Sequence, residues 1–95
     1  MKPEIIAVKV WPKYFGDIIS GKKPFEVRKD DRGYSVGKWL LLQEWEPIFH
    51  ETGGYTGRDC TCEITYKLEG GQFGIEAGYC VLGIRLLDVA IPEKE

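Results

Sequence analysis

The stretch RDCTCEITYKL, Arg58–Leu68, alternates apolar and polar side chains through most of its length. A period of two puts successive side chains on opposite faces of a strand, so the segment predicts a β-strand with one face in the core. Such alternation is typical of an antiparallel sheet with one solvated face. The predicted inward residues are Cys60, Cys62, Ile64 and Tyr66, and the predicted outward residues are Thr61, Glu63, Thr65 and Lys67.

Further strands and one helix are predicted on either side of this stretch. Pro12 suits the first turn of a helix and Gly21 suits its end, which predicts one short helix at Lys13–Ser20. Turn residues cluster in His50–Gly57, which we expect to form a loop, and we expect the tail from Asp88 to fray. The other predicted strands are Ile5–Val10, Phe25–Lys29, Trp39–Trp45 and Tyr79–Leu87.

These elements predict a mainly β fold (α+β) with one or two short helices. A small antiparallel β-barrel fits them because closure removes exposed sheet edges, and an open α+β sheet is the alternative. The 95 residues, with 43% apolar and 29% charged content, suit one soluble domain spanning 1–95. No apolar run approaches the ~18 residues of a membrane span. Because Met1–Glu4 lacks a signal-peptide core, we expect a cytoplasmic protein that does not bind membranes.

The cysteines and the single histidine give no sign of a metal or disulfide site. Three cysteines, Cys60, Cys62 and Cys80, form no CxxC pair, and His50 is the only histidine. A zinc site would need all four of these residues, although His50 falls in the predicted loop. We therefore expect buried thiols that pack as small apolar side chains, no metal and no cofactor.

The charge of the chain is unevenly distributed. The net charge of −2 argues against a general polyanion binder, because nonspecific nucleic-acid affinity comes from neutralised phosphates. However, the segment from Lys9 to Arg32 holds seven basic and four acidic residues and carries +3, which leaves −5 for the remainder. The two interpretations, a functional basic face and a chance asymmetry, both stay open.

The densest polar cluster is GKKPFEVR, Gly21–Arg28, which runs from the helix end into the second strand. Glu26 and Arg28 are two apart on a strand and share a face, opposite Phe25 and Val27. A carboxylate beside a guanidinium can orient a polar ligand, and a solvated surface ion pair is the alternative. The candidate binding residues of this cluster are Lys22, Lys23, Glu26 and Arg28.

The spacing Gly21-x-Lys23-x-x-Glu26-x-Arg28 resembles the GxKxxExR signature of the ASCH superfamily, relatives of the PUA-like RNA-binding domains. The chain is most similar to a small family of unknown function within that group, found in bacteria and phages. The resemblance covers nearly the full length and implies a PUA-like barrel. The other matching segments, in order, are KVWPKYF from Lys9, FEVRKDDR from Phe25, Val36-Gly37, LQEW from Leu42, GYTGR from Gly54 and GYCVL from Gly78.

The resemblance implies a ligand cleft between the early helix and the barrel, and RNA as the ligand. One branch of the superfamily is an amidohydrolase acting on N-acetylcytidine through a lysine, a threonine and a glutamate. Lys23 matches that lysine, whereas Glu26 stands where the threonine would be, and only Glu69 and Glu76 are near the position of the catalytic glutamate. Lys23 and Glu26 are therefore the candidate catalytic residues of a hydrolase.

A nucleotide site also needs an aromatic surface on which a base can stack. Trp45 and Tyr55 flank the glycine-rich loop and are candidates, whereas Trp11 and Trp39 lie in apolar patterns that predict core packing. Arg58, at the end of that loop, is a candidate phosphate ligand.

The leading hypothesis from the sequence is a module that binds RNA, a nucleoside or a nucleotide. The alternatives are a small amidohydrolase acting on an acylated nucleoside, and a phage or host adaptor that binds a protein partner through exposed aromatic side chains.

Overall fold

A computed structural model of the protein describes residues 2–47 and 53–92. One five-stranded sheet curls into a half-barrel, and one short helix packs against it, which confirms the predicted mainly β fold class. The helix begins one residue before its predicted start and also ends one residue early. The elements are β1 (Ile5–Val10), α1 (Pro12–Ile19), β2 (Phe25–Lys29), β3 (Trp39–Glu46), β4 (Gly54–Glu69) and β5 (Tyr79–Ala90).

The strand order β1-β3-β4-β5-β2 puts the first two strands of the chain at opposite edges of the sheet. β1 pairs with β3 in parallel, and every other pair is antiparallel. The segment with α1 therefore has to cross from one edge to the other. Phe15 and Ile18 are buried on the inner face of the helix, since they are three apart and point to the same side.

The core lies inside the curl of the sheet. The alternation predicted for β1 is confirmed, because Ile6, Val8 and Val10 are buried and Ile5 is exposed. All three cysteines are buried free thiols, as predicted. Burial raises the pKa of the Cys80 thiol, because the thiolate would lose its hydration. The core residues contributed by β3, β4 and β5 are Leu40, Leu42, Cys60, Cys62, Ile64, Cys80, Leu82 and Ile84.

The inward prediction is wrong for Tyr66, which is 65% exposed. The register between β4 and β5 shifts between Ile64 and Tyr66, so one extra residue reverses the alternation. Gly83 lies opposite the bulge, where an added Cβ would meet Thr65 Oγ1 at 3.1 Å and Tyr66 Cβ at 3.2 Å.

The predicted fraying from Asp88 is also wrong for the residues that the structure describes near it. β5 continues to Ala90, and Asp88 pairs with Thr61 and Ala90 with Asp59. β5 and its pairing with β4 therefore extend beyond Leu87, where the strand was predicted to end.

Arginine side chains join the two edges of the curled sheet. Arg28 on β2 donates from Nη1 to the carbonyl oxygen of Lys9 on β1 at 3.0 Å. Arg32, just beyond β2, donates from Nη2 to the carbonyl oxygen of Ala7 at 3.2 Å. We call this boundary between β1 and β2 the seam. Within residues 2–47 and 53–92 no strand pairing crosses it, so side chains take the place of the missing ladder.

Candidate functional site

A cleft of about 640 Å³ opens at one end of the seam, beside the start of α1. The end of β1, the first turn of α1 and β2 form its walls. The +3 segment supplies all three elements, and three of its seven basic residues, Lys9, Lys23 and Arg28, line the cleft together with the acidic Glu26. The residues lining the cleft are Lys9, Val10, Trp11, Tyr14, Lys23, Phe25, Glu26, Val27 and Arg28.

A buried carboxylate lies in the wall of this cleft. Glu26 is only 3% exposed, and its Oε1 lies 2.5 Å from Lys23 Nζ while its Oε2 lies 3.2 Å from Arg28 Nη1. The predicted common face of Glu26 and Arg28 is confirmed, and it is the inner face of β2. A carboxylate removed from water needs such partners, which rules out the alternative of a solvated surface pair.

Aromatic rings form the rim of the cleft. The ring centroids of Trp11 and Tyr14 lie 6.5 Å apart with the planes inclined by 20°. Lys23 Nζ lies 5.3 Å from the Tyr14 ring centroid and 5.1 Å from that of Phe25. The core prediction for Trp11 is wrong, because its position just before α1 leaves it 55% exposed, whereas Trp39 is half-buried in β3. The aromatic surface next to Glu26 is therefore Trp11, Tyr14 and Phe25.

A second buried carboxylate, Glu44, lies inside the curl and was missed by the sequence analysis. Arg58 donates to it from Nε at 2.7 Å and from Nη2 at 2.8 Å, and Thr56 Oγ1 donates at 2.6 Å. The hydrogen bond from Arg58 holds the pKa of Glu44 below its ordinary value, against the opposing effect of burial. The Arg58 guanidinium also lies 4.9 Å from the Phe15 ring centroid. The candidate phosphate ligand Arg58 is thus engaged in an internal ion pair.

The candidate stacking residues Trp45 and Tyr55 face each other across β3 and β4. Lys9 Nζ lies over both rings, 4.6 Å from the Trp45 centroid and 5.8 Å from the Tyr55 centroid. Both rings therefore lie next to a cation from β1, outside the cleft lining. The predicted loop is partly wrong, since Gly54–Gly57 begins β4, and 50–52 lies outside the described residues.

Three other candidate residues lie apart from the cleft. Lys22 is exposed and precedes the lining residue Lys23. Glu69 ends β4 and is exposed, with its carboxylate 3.7 Å from Lys67 Nζ. Glu76 lines a separate hollow near Tyr79. Neither glutamate joins Lys23 and Glu26, so of the acid–base candidates taken from the sequence only that pair lines the cleft among residues 2–47 and 53–92.

Among residues 2–47 and 53–92, no group of three or more His, Cys, Asp or Glu side chains could hold a metal ion. His50, which a zinc site would have required, lies outside these residues. No helix in the same part of the chain is both long and apolar enough to cross a membrane.

The fold and the site define a small curled-sheet domain with a charged, aromatic-rimmed cleft beside its seam. Residues 5–84 match the family described as "Domain of unknown function (DUF3850)", and the chain belongs to that family. It is 42% identical over 65 residues to the uncharacterized 12.9 kDa protein in the GpA 3′ region of Escherichia phage P2. The aligned part covers 68% of this chain and 55% of the phage protein. The predicted membership of a family of unknown function with a phage relative is confirmed.

Proposed function

We propose that the domain is ASCH-like and that its cleft binds the base of an RNA nucleotide or of a nucleoside. The observation that carries this proposal is the buried carboxylate of Glu26, held between Lys23 and Arg28 in the wall of an aromatic-rimmed cleft. The GxKxxExR signature supports it, because Lys23, Glu26 and Arg28 of that signature all line the cleft.

The polar groups of the cleft complement the edge of a base. Each oxygen of the Glu26 carboxylate accepts one hydrogen bond from a cation, Oε1 from Lys23 and Oε2 from Arg28. A carboxylate oxygen can accept more than one hydrogen bond, so both oxygens can also accept from a ligand. An exocyclic amine such as cytosine N4 donates to a carboxylate, and lysine or arginine donates to base carbonyl or ring-nitrogen acceptors. Alternating acceptor and donor groups of this kind can read the edge of a pyrimidine or purine.

The aromatic rim complements the face of a base. Trp11 is 55% exposed, Tyr14 40% and Phe25 41%, so their rings are accessible at the mouth of the cleft. Stacking of one base on an aromatic side chain contributes ~1–3 kcal/mol by alanine substitution. Trp11 is the best probe of this contribution, because its exposed ring contributes little to the core.

The test is a two-dimensional amide NMR titration with unmodified nucleosides, N-acetylcytidine and short single-stranded RNA. We expect shifts at Trp11–Tyr14 and Gly21–Arg28, and an affinity that falls by roughly 10-fold in Trp11→Ala. Tyr66→Ala is the matched control, since Tyr66 is 65% exposed outside the cleft. Lys23→Ala and Arg28→Ala should also weaken binding in variants that remain folded. An absence of shifts would overturn the proposal and favour a protein partner.

The 2.5 Å contact between Lys23 Nζ and Glu26 Oε1 favours a second candidate function, hydrolysis of an acylated nucleoside. An ammonium beside a carboxylate can pass a proton to a leaving amine, and the carboxylate can take one from an attacking water. The chain has Glu26 where the related hydrolases have threonine, so water replaces a hydroxyl nucleophile in this scheme. Turnover of N-acetylcytidine that is lost in Glu26→Gln would establish it, and binding without turnover would reject it.

A further inference from the structure

A second hollow of about 280 Å³ lies along the seam, next to the cleft. We call it the seam pocket. Lys9 and Arg28 line both the cleft and the seam pocket, so the two hollows are adjacent. The side chains that define the seam pocket are Lys9, Arg28, Arg32, Gln43 and Tyr55.

The described residues that line the seam pocket are three cations, the neutral polar side chains of Gln43 and Tyr55, and the small apolar residues Ala7 and Val8; none of these is acidic. Arg28 shares its charge with Glu26, whose Oε2 is 3.2 Å away. Neither Lys9 nor Arg32 forms an ion pair with a carboxylate within residues 2–47 and 53–92. Two positive charges in this hollow are therefore not neutralised by described acidic side chains.

Backbone and ring contacts hold these cations in place. Arg32 Nη2 is anchored on the Ala7 carbonyl oxygen at 3.2 Å, and Arg28 Nη1 on that of Lys9 at 3.0 Å. Lys9 Nζ is held over the rings of Trp45 and Tyr55. A guanidinium has five N–H donors, so each arginine keeps donors for a ligand after making these contacts. The cations are thus positioned before any ligand arrives, which reduces the entropy cost of binding.

We propose that the seam pocket binds the phosphate group of a nucleotide whose base lies in the cleft, an inference that rests on the proposed function. The planar fork of a guanidinium matches two phosphate oxygens, and a lysine adds a point charge. The volume of about 280 Å³ compares with ~30 Å³ of liquid per water molecule, which leaves room for a tetrahedral oxyanion. On this proposal the preferred ligand is a nucleotide or an RNA strand crossing the seam, and a free nucleoside binds more weakly.

Arg32→Gln tests this proposal, because Arg32 lines the seam pocket but not the cleft. Glutamine removes the charge and keeps a polar N–H₂ group, on a side chain shorter than that of arginine. Arg85→Gln is the matched control, since Arg85 is exposed on β5, where it pairs with Glu63. The thermal midpoints of both variants are measured first to confirm folding.

The titration compares each nucleoside with its 3′- and 5′-monophosphates and with a dinucleotide, and it includes inorganic phosphate alone. We expect a monophosphate to bind roughly 10-fold tighter than its nucleoside at low salt, as one charged hydrogen bond suffices for that factor. Arg32→Gln should remove this gain and leave nucleoside affinity within about 2-fold, while Arg85→Gln keeps the gain. If the dinucleotide also binds tighter than the nucleoside, a phosphodiester is accepted and the ligand class extends to RNA.

The outcomes separate this inference from the function on which it rests. Nucleosides that bind without any gain from a phosphate, or with a gain that survives in Arg32→Gln, would overturn the phosphate site and leave the base site standing. If no nucleoside binds, saturable phosphate shifts at Ala7, Lys9 and Arg32 that vanish in Arg32→Gln would still support the seam pocket. Absence of both kinds of shift would overturn the two proposals together.

Discussion

Glu44→Gln should destabilise the domain in a way that depends on pH. The substitution keeps one oxygen that can accept from Arg58, but it presents an amide N–H₂ to the other guanidinium donor, so one of two charged hydrogen bonds is lost. Breaking a fully buried pair costs about 3–5 kcal/mol, and the Arg58 side chain is 38% exposed, which reduces the penalty to about 2 kcal/mol. For a domain of this size that corresponds to a fall in Tm of roughly 8–16 °C.

The pH dependence follows from the lowered pKa of Glu44. The ordinary pKa of a glutamate carboxyl is 4.5, and that of Glu44 is lower in the folded state. The ionised carboxylate therefore stabilises the folded state fully when the pH is above 4.5, and this contribution disappears as the pH falls through the folded-state pKa. The difference in unfolding free energy between the wild type and Glu44→Gln should therefore be largest near pH 7 and shrink below pH ~4.5.

The assay is urea unfolding of both proteins at a series of pH values, followed by circular dichroism. Glu63→Gln is the control, because it removes the same charge from a surface pair with Arg85 and should cost no more than ~0.5 kcal/mol. The reasoning is refuted if Glu44→Gln is as stable as Glu63→Gln at pH 7, or if its deficit is unchanged at low pH.

Three further substitutions or treatments test local packing. Gly16→Ala should stabilise the domain by ~0.5–1 kcal/mol in thermal unfolding, because Gly16 lies inside α1 with open space around its Cβ position, and a loss of stability would contradict this. Gly70→Ala should lower the unfolding free energy by more than ~2 kcal/mol, since the added Cβ would lie 2.2 Å from the Glu76 carbonyl oxygen and 2.4 Å from that of Tyr79; an unchanged midpoint would show that this turn can move. Cys80 should resist a thiol reagent at pH 8 in the native protein and react once it is unfolded, because burial raises its pKa and blocks access, and fast native labelling would contradict the buried placement.

The burial of Glu44 could have been predicted from the alternation along the strand Trp39–Trp45. Leu40, Leu42 and Glu44 are in phase along β3, so the alternation that buries the leucines also buries the carboxylate. Arg58 is likewise in phase with Cys60 on the neighbouring strand. A charged residue at an inward position of each of two strands predicts an internal ion pair, because a buried charge requires a partner.

Other features could not be predicted from periodicity because they depend on contacts between distant segments. The exposure of Tyr66 follows from a bulge that Gly83 accommodates on the opposite strand. The gathering of Lys9, Arg28 and Arg32 follows from the curl of the sheet, which brings its first and last strands together. A local pattern assigns a residue to a face of its strand, whereas the curvature decides which faces meet.

The arginine-bridged seam connects the architecture of the domain to its proposed function. Had β1 and β2 been paired, backbone hydrogen bonds would have occupied the space between them, and the seam pocket would not exist. Arg28 and Arg32 instead satisfy carbonyl groups of β1 with side chains, which blocks pairing of this edge with another chain. Both arginines also line the seam pocket, and each guanidinium retains N–H donors beyond those used in these contacts. Protection of an open sheet edge and the proposed recognition of a phosphate group therefore involve the same two arginines.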